Sequence, residues 1–463
     1  MDELTIHPAP FIDHLIRELP ELKKLPEPAR LRMTQIISSE PLRIRYKHRN
    51  GDGITYPAEK LYLHFGKNYR TIMRLFFNVD EAYFHDPTNR ARSYTKRYTL
   101  KPEIKKIVDS YLKTRYDQPI KILVNGKPYR TRKNAITARD INGNMKKSPA
   151  QISPAISVNV QNLHSLERYL SKLYDTLLSG RTPRKSKFSH IYDDILSRSK
   201  NIFQQIHITE IWLRITGELI RLSNIKPLPF GNLLQLYQET STGRIQGKGI
   251  HLQTVPRPIR YETLRDQGLF QYDIENCHYQ VLEQISPMDL PTVKKYNSDK
   301  LAFRRAITQQ ADITIKQAKT ALISIIYGAT DSTGYSLSET LADRTETFLS
   351  LPDIVGLFAD IKRARKQIIS SAPIVENQHG KFILNAIEKP ISADEPPNSK
   401  LAHILQGYES QILNSILEIH AENVRLLLFD GFIADQKLNP LELEIQVLKS
   451  TGFKLRFTEE IIP

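Results

Sequence analysis

The stretch Val424 to Asp435, VRLLLFDGFIAD, most narrows what this chain can fold into. Its first arm is almost wholly apolar apart from Arg425, Asp430-Gly431 follows, and FIA resumes the apolar pattern. Asp-Gly is a favoured pair in tight turns and both arms are β-prone, so the segment predicts a hairpin. A second acidic segment, LFQYDIENCHYQVL, begins apolar and reaches Asp273 at what reads as a strand end. If the hairpin lies beside that strand, two carboxylates meet on one sheet. They would need compensating charge, which divalent cations with phosphate ligands supply. Read alone, Asp430 is also explained by the turn, and Asp273 by a helix cap.

At 463 residues the chain exceeds one ordinary core, and several lobes are expected. No apolar run approaches the roughly 18 residues of a membrane span, and the acidic, proline-broken opening MDELTIHPAPFIDHLIRELPEL is not a secretory signal. The expectation is a cytoplasmic protein with no membrane partner. A single cysteine, Cys277, excludes an internal disulfide framework and a cysteine-rich zinc site. The formal charge of +16, from 66 basic and 50 acidic residues, favours a polyanionic partner, with a merely solvated basic surface as the alternative.

Residues 1–150 read as a mixed basic domain. They hold a helical start, FIDHLIREL, and a hairpin signal at Asn125-Gly126. Cations and rings interleave at Arg90, Arg92, Tyr94, Lys96, Arg97 and Tyr98, and again at Lys127, Tyr129, Arg130, Arg132 and Lys133. That mixture suits nucleic-acid contact, phosphates on the cations and bases on the rings, or a hairpin's solvent face. Residues 151–235 read as a helical lobe. In VQNLHSLERYLSKLYDTLLSG, Leu163, Leu166, Leu170, Leu173, Leu177 and Leu178 fall near one face, and IFQQIHITEIWLRITGELIRL supplies a second helix. Residues 236–463 alternate strand-like and helical runs.

Between the two acids lies ADITIKQAKTALISIIYGAT. Lys316, Lys319, Ile323 and Tyr327 share one helical face, so the helix presents cations at one end and an aromatic ring before Gly328 at the other. This suits a triphosphate and a base. An amphipathic helix with snorkelling lysines explains the same pattern. Upstream, ETSTGRIQGKGIHLQTVPRPIRYETL carries Arg244 in a turn-like context, then Arg257 and Arg260, and reads as a loop able to follow a nucleic-acid backbone.

In this order the segments resemble the polymerase core shared by family A DNA polymerases and single-subunit phage-type RNA polymerases. TGRIQGKGIHLQTVP is similar to the segment whose arginine reaches the primer end, a role that would fall to Arg244. DIENCHYQ resembles motif A, and KTALISIIYG matches the motif B spacing of lysine, eight residues, then Tyr-Gly. LLLFDGFIAD resembles motif C, and HILQGYESQIL resembles the Gln-Gly helix, with Gln406 as a template or primer contact. The resemblance covers about residues 236–463 and implies an α+β right-hand polymerase, a palm of antiparallel sheet with helical fingers and thumb, preceded by a mixed α/β N-terminal domain. It implies Asp273 and Asp430 as ligands of two Mg²⁺ ions, with Mn²⁺ as a substitute. Lys316, Lys319, Ile323, Tyr327 and His278 would line the nucleotide site, with Lys319 and Tyr327 in catalytic positions. Arg244, Gln406, Arg257, Arg260, Arg130, Arg132 and Lys133 would contact nucleic acid. The partners implied are a template, a primer and nucleoside triphosphates, with replication proteins beyond them.

The chain departs from that pattern at several places. Ile315 stands where motif B usually has arginine, and Ile323 where many DNA polymerases have an aromatic residue. Phe429 and Gly431 replace a histidine and a glutamate beside the motif C aspartate. His278 occupies the sugar-discriminating position, which is glutamate in the DNA polymerases and glycine in the RNA polymerases. The preferred expectation is a template-directed DNA polymerase of a phage or mobile element, extending a primer 3′-hydroxyl by two-metal-ion phosphoryl transfer. An RNA polymerase or primase on the same fold is the second, and a degenerate nucleic-acid-binding replication protein the third.

Overall fold

The computed structural model describes residues 4–39, 54–57, 61–62, 65–80, 95–114, 120–124, 127–128, 136–139, 145–146, 152–153, 155–199, 201–224, 228–247, 251–329, 335–377 and 380–463. Two apolar clusters organise them. The first runs from Leu15 to Val108 and includes Met33, Met73, Phe76 and Phe77. Tyr98, one of the N-terminal rings, is buried there with its ring edge-on to Phe77 at 6.2 Å, so it is a core residue and not a stacking platform. The Asn125-Gly126 turn lies outside the described residues, but its arms pair antiparallel with Val124 opposite Lys127.

The second cluster extends from Ile152 to Ile462 and unites the helical lobe with everything after it. Helix Val160–Leu178 buries Leu163, Leu166, Leu170, Leu173 and Leu177, the 3.6-residue stripe of the sequence, while Leu178 is exposed. Asn159 caps it, its side-chain oxygen accepting from the backbone N–H of Asn162. Against it packs helix Ile202–Leu222, which buries Trp212, Ile215 and Leu219. Among the described residues no helix is long and apolar enough to cross a membrane.

The acidic segments meet in a four-stranded antiparallel sheet. Its order is Val424–Leu427, Gly431–Ala434, Phe270–Ile274, Phe457–Ile461. Strand Phe270–Ile274 is therefore interior, hydrogen-bonded on both sides, and its end is held rigidly. The side chains of Tyr272, Leu426, Leu427, Phe432 and Ile433 are fully buried. The long helix Pro397–His420 packs on helices Cys277–Ile285, Pro352–Ser371 and Pro440–Thr451. The edge strand Phe457–Ile461 carried no motif in the sequence, yet it completes the sheet.

The predicted hairpin exists, but its turn is not built as Asp-Gly turns usually are. Leu428 N–H donates to Gly431 O at 2.9 Å, so Phe429 and Asp430 form the tip and Gly431 opens the returning strand. Neither Phe429, Asp430 nor Gly431 has positive φ. The glycine answers a steric demand instead: a Cβ there would run into the carbonyl oxygen of Tyr272 and lie 2.7 Å from Asp273 Oδ1. Backbone cannot give way as a side chain can. Gly431→Ala is thus expected to cost at least about 2 kcal/mol through overpacking, read as a lower urea midpoint with unchanged slope. An unchanged midpoint would mean that the two strands are not pressed together here.

Candidate active site

The strand pairing puts Asp273 opposite Gly431, and Ile274 N–H donates to Asp430 O at 2.9 Å. The two aspartates therefore stand beside each other at one end of the sheet. Gln271, two residues earlier and on the same face, donates from Nε2 to Asp273 Oδ2 at 2.6 Å and fixes that carboxylate. Asp430, in the hairpin tip, is exposed to solvent, although protein atoms crowd around its carboxylate. Burial first, then the charges of Glu409 and Asp273, push its carboxyl up to about 6.

Behind the aspartates lies a buried ionic chain. Glu409, in the middle of helix Pro397–His420, is 2% exposed in its side chain. It accepts two hydrogen bonds from Arg244, Nε to Oε1 and Nη2 to Oε2, both 2.6 Å. His278 Nε2 lies 2.9 Å from Glu409 Oε2. On the other side of the imidazole, Nδ1 is 2.6 Å from the hydroxyl of Tyr327, and the two rings meet edge to face at 5.3 Å. Arg244 lies over the ring of Phe429 at 4.7 Å, a cation–π contact that joins the chain to the hairpin tip. Burial alone would raise Glu409, but the hydrogen bonds from Arg244 and the nearness of His278 outweigh it and hold its carboxyl below the ordinary value. Burial also pushes Tyr327 up to about 12, so it is a neutral phenol at working pH.

Local sequence explains how these groups arrive. Arg244 follows Gly243, whose φ of +83° closes the turn between strands Tyr237–Glu239 and Ile245–Gly247. His278 sits in the first turn of helix Cys277–Ile285, entered through Asn276 at φ +43°. The strained entry is held from outside: Asn276 Oδ1 accepts from Arg304 Nη2 at 3.2 Å, and Glu275 is paired with Lys300 and Arg456. Glu275 and Asn276 thus brace the strand end against helix Lys300–Ala311 and the segment entering the edge strand.

Helix Ile315–Ile326 begins with a capping box between Thr314 and Gln317. It buries Ala318, Ala321, Leu322, Ile325 and Ile326, leaving Lys316, Lys319 and Ile323 exposed as the periodicity predicted. Lys316 Nζ donates to Ser197 Oγ at 2.9 Å, tying this helix to the helical lobe. Burial and then Arg198 lower its pKa. Tyr327 caps the helix, and Gly328 at φ +97° leaves no space for a Cβ against Asn398.

The remaining expected contacts scatter. Gln406 is half-buried one turn before Glu409. The segment with Arg257 and Arg260 is helix Arg257–Leu264, not a loop. Arg257 is paired with Glu460 and stacked on Tyr261. Arg260 is 8% exposed and donates weakly to Leu252 O at 3.4 Å, so it is not placed to follow a backbone. Arg130, Arg132 and Lys133 lie outside the described residues. Glu409 and Gln271 carried no signal that sequence reading used. An acid three residues after Gln406 was the one available hint, and an acid inside an amphipathic helix is usually solvated.

No protein-family model matches the sequence, and no curated protein matches it. Among solved structures, the chain is similar to the POL domain of Pol1 from M. smegmatis, determined in complex with DNA primer-template and dNTP. The TM-score is 0.46, with 12% identity and 66% of each chain covered. The chain thus spans just under two thirds of that relative's length.

The raised carboxyl of Asp430 has a measurable consequence. Between its ordinary pKa of 3.8 and about 6 the folded chain holds a proton the unfolded chain has released, so stability falls as pH rises through that window. Asp430→Asn removes this liability. Its stability relative to the parent is expected to be about 1 kcal/mol more favourable at pH 8 than at pH 4, a figure reduced for solvent screening at an exposed group. Paired urea titrations at the two pH values check this, and an equal difference at both would contradict the shift.

Proposed function

We propose that this chain is a template-directed nucleotidyltransferase, with DNA synthesis from a primer as its reaction. The observation carrying this reading is the placement of Asp273 at the end of an interior strand beside Asp430 at the tip of the neighbouring hairpin, with Asp430 raised by burial and then by the charges of Glu409 and Asp273. It is supported by the order of the motif resemblances and by Tyr327, at the end of the lysine-bearing helix, reaching back to His278 beside Glu409. Two hard-oxygen carboxylates fit magnesium, which takes a few protein carboxylates and completes its shell with phosphate and water.

Bound divalent cations would supply activation of the primer hydroxyl and neutralisation of the leaving pyrophosphate. The chain's own residues do the rest by position. Gln271 holds Asp273 in one orientation. Lys319, exposed and without an ion-pair partner among the described residues, can take a phosphate. On this reading the exposed side chain of Ile323 and the half-buried ring of Tyr327 would border the incoming base. Lys316 is partly committed to Ser197, which leaves Lys319 as the main cation of that helix. No protein nucleophile is needed. The basic composition supports nucleic-acid binding, and a cytoplasmic phage or mobile-element enzyme remains the setting that best suits it.

A nucleic-acid-binding protein without chemistry is the competing reading, favoured by Gly431 and Phe429 where DNA polymerases carry polar groups. Extension of a defined primer-template with Mg²⁺, using dNTPs in one arm and NTPs in the other, separates the readings. Asp273→Asn and Asp430→Asn are each expected to lower incorporation at least about a thousandfold. Binding to the same duplex should persist and weaken steeply with salt. Binding with no incorporation by the parent chain would remove the polymerase reading, and preference for NTPs would move it to RNA synthesis. Lys319→Ala is expected to raise the nucleotide KM about tenfold or more. Its urea midpoint should stay within about 0.5 kcal/mol of the parent, as the side chain is exposed and unpaired.

A further inference from the structure

We propose that Glu409 is the positioning residue of the sugar subsite: it fixes the tautomer of His278 and thereby aims the hydroxyl of Tyr327. The inference rests on the polymerase reading for the word sugar, and on the side-chain geometry alone for the tautomer. Three observations carry it.

First, Glu409 is held as a carboxylate by Arg244 on both oxygens, so it can only accept. His278 Nε2 is 2.9 Å from Glu409 Oε2, off the line of an ideal hydrogen bond. At that distance two facing lone pairs repel, so Nε2 must carry hydrogen. Second, in the neutral ring Nδ1 is then the bare nitrogen, and the group facing it at 2.6 Å is the Tyr327 hydroxyl, which must donate. Tyr327 therefore spends its single proton on the imidazole. Third, both ends of the relay belong to the proposed nucleotide site: His278 follows the Asp273 strand, and Tyr327 ends the Lys319 helix. The closed His278–Tyr327 pair offers an incoming sugar a filled edge with no spare donor from the phenol. Loss of Glu409's carboxylate would free the ring to take either tautomer and free the phenol to bond a 2′-hydroxyl.

Cys277, His278 and Glu409 also place ligand atoms within 4.8 Å of one another, a spacing open to a metal ion. The Arg244 guanidinium occupies both Glu409 oxygens and already supplies the positive charge there. The Cys277 thiol is buried beside it, which favours its neutral form. The positioning role uses the Arg244, Glu409 and His278 contacts as they stand, whereas a metal would have to displace the arginine.

The test uses the full chain labelled with ¹⁵N only in histidine. Long-range proton–nitrogen spectra report which imidazole nitrogen is protonated, and His278→Gln identifies the ring's signals among the 13 histidines. The expected result is protonated Nε2 and bare Nδ1 in the parent chain, retained in Glu409→Asp and replaced by a tautomer mixture in Glu409→Gln. Protonated Nδ1 in the parent chain overturns the proposal, whatever the activity and whether or not the variants fold. In the primer-extension assay, the ratio of kcat/KM for dNTP over NTP is expected to fall about tenfold in Glu409→Gln and to recover in part in Glu409→Asp. Synthesis with an unmoved ratio overturns the sugar-subsite role. The expected tautomer with no synthesis from either nucleotide set refutes the polymerase reading and, with it, the sugar subsite, leaving only the orientation of His278.

Discussion

The closeness of two backbones at Gly431 is the constraint on which the site depends. Because position 431 lacks a Cβ, the hairpin strand can press against Tyr272 and Asp273, and the tip residue Asp430 comes level with the strand end. Two like charges at that spacing are mutually unfavourable. The fold tolerates them because the sheet around them is secured elsewhere: Phe270–Ile274 is bonded on both sides, and apolar side chains at Tyr272, Leu426, Leu427 and Phe432 are fully buried. A local electrostatic cost is thus carried by a large apolar core, the usual relation between a working site and its scaffold.

The ionic chain behind the acids obeys a different balance. Glu409 and Arg244 are expensive to desolvate, and their attraction only partly offsets that cost, so the pair is weak evidence of stability. Its geometry is informative instead. The chain runs from the turn before Ile245–Gly247, through helix Pro397–His420, to the start of helix Cys277–Ile285 and the end of helix Ile315–Ile326. Four separate elements are brought into register by these side-chain contacts.

Much of this was legible in the sequence, and the limits are physical. The hairpin, the strand ending at Asp273, the leucine stripe of Val160–Leu178 and the exposed lysine face of Ile315–Ile326 all followed from periodicity, because a buried face and a solvated face impose different residue types. The turn chemistry of Asp430-Gly431 misled in detail: the pair is common in tight turns, but here the glycine serves a contact with a strand more than 150 positions away. Long-range partners leave no local trace. Glu409 was missed for that reason, since its importance comes from Arg244 and His278. Arg260 looked like a surface cation because local composition does not reveal which side of a helix is covered.

Gly431 also bears on the history of such a site. On the proposed polymerase reading, Gly431 stands where the family carries a glutamate, and glycine there invites description as a lost acid awaiting reversion. The strand contact argues otherwise. Any side chain at 431 would be driven into the Tyr272 carbonyl, so a carboxylate could be placed there only by parting the strands. The glycine is a condition of the strand pairing, and an acid added beside this pair would have to come from another element.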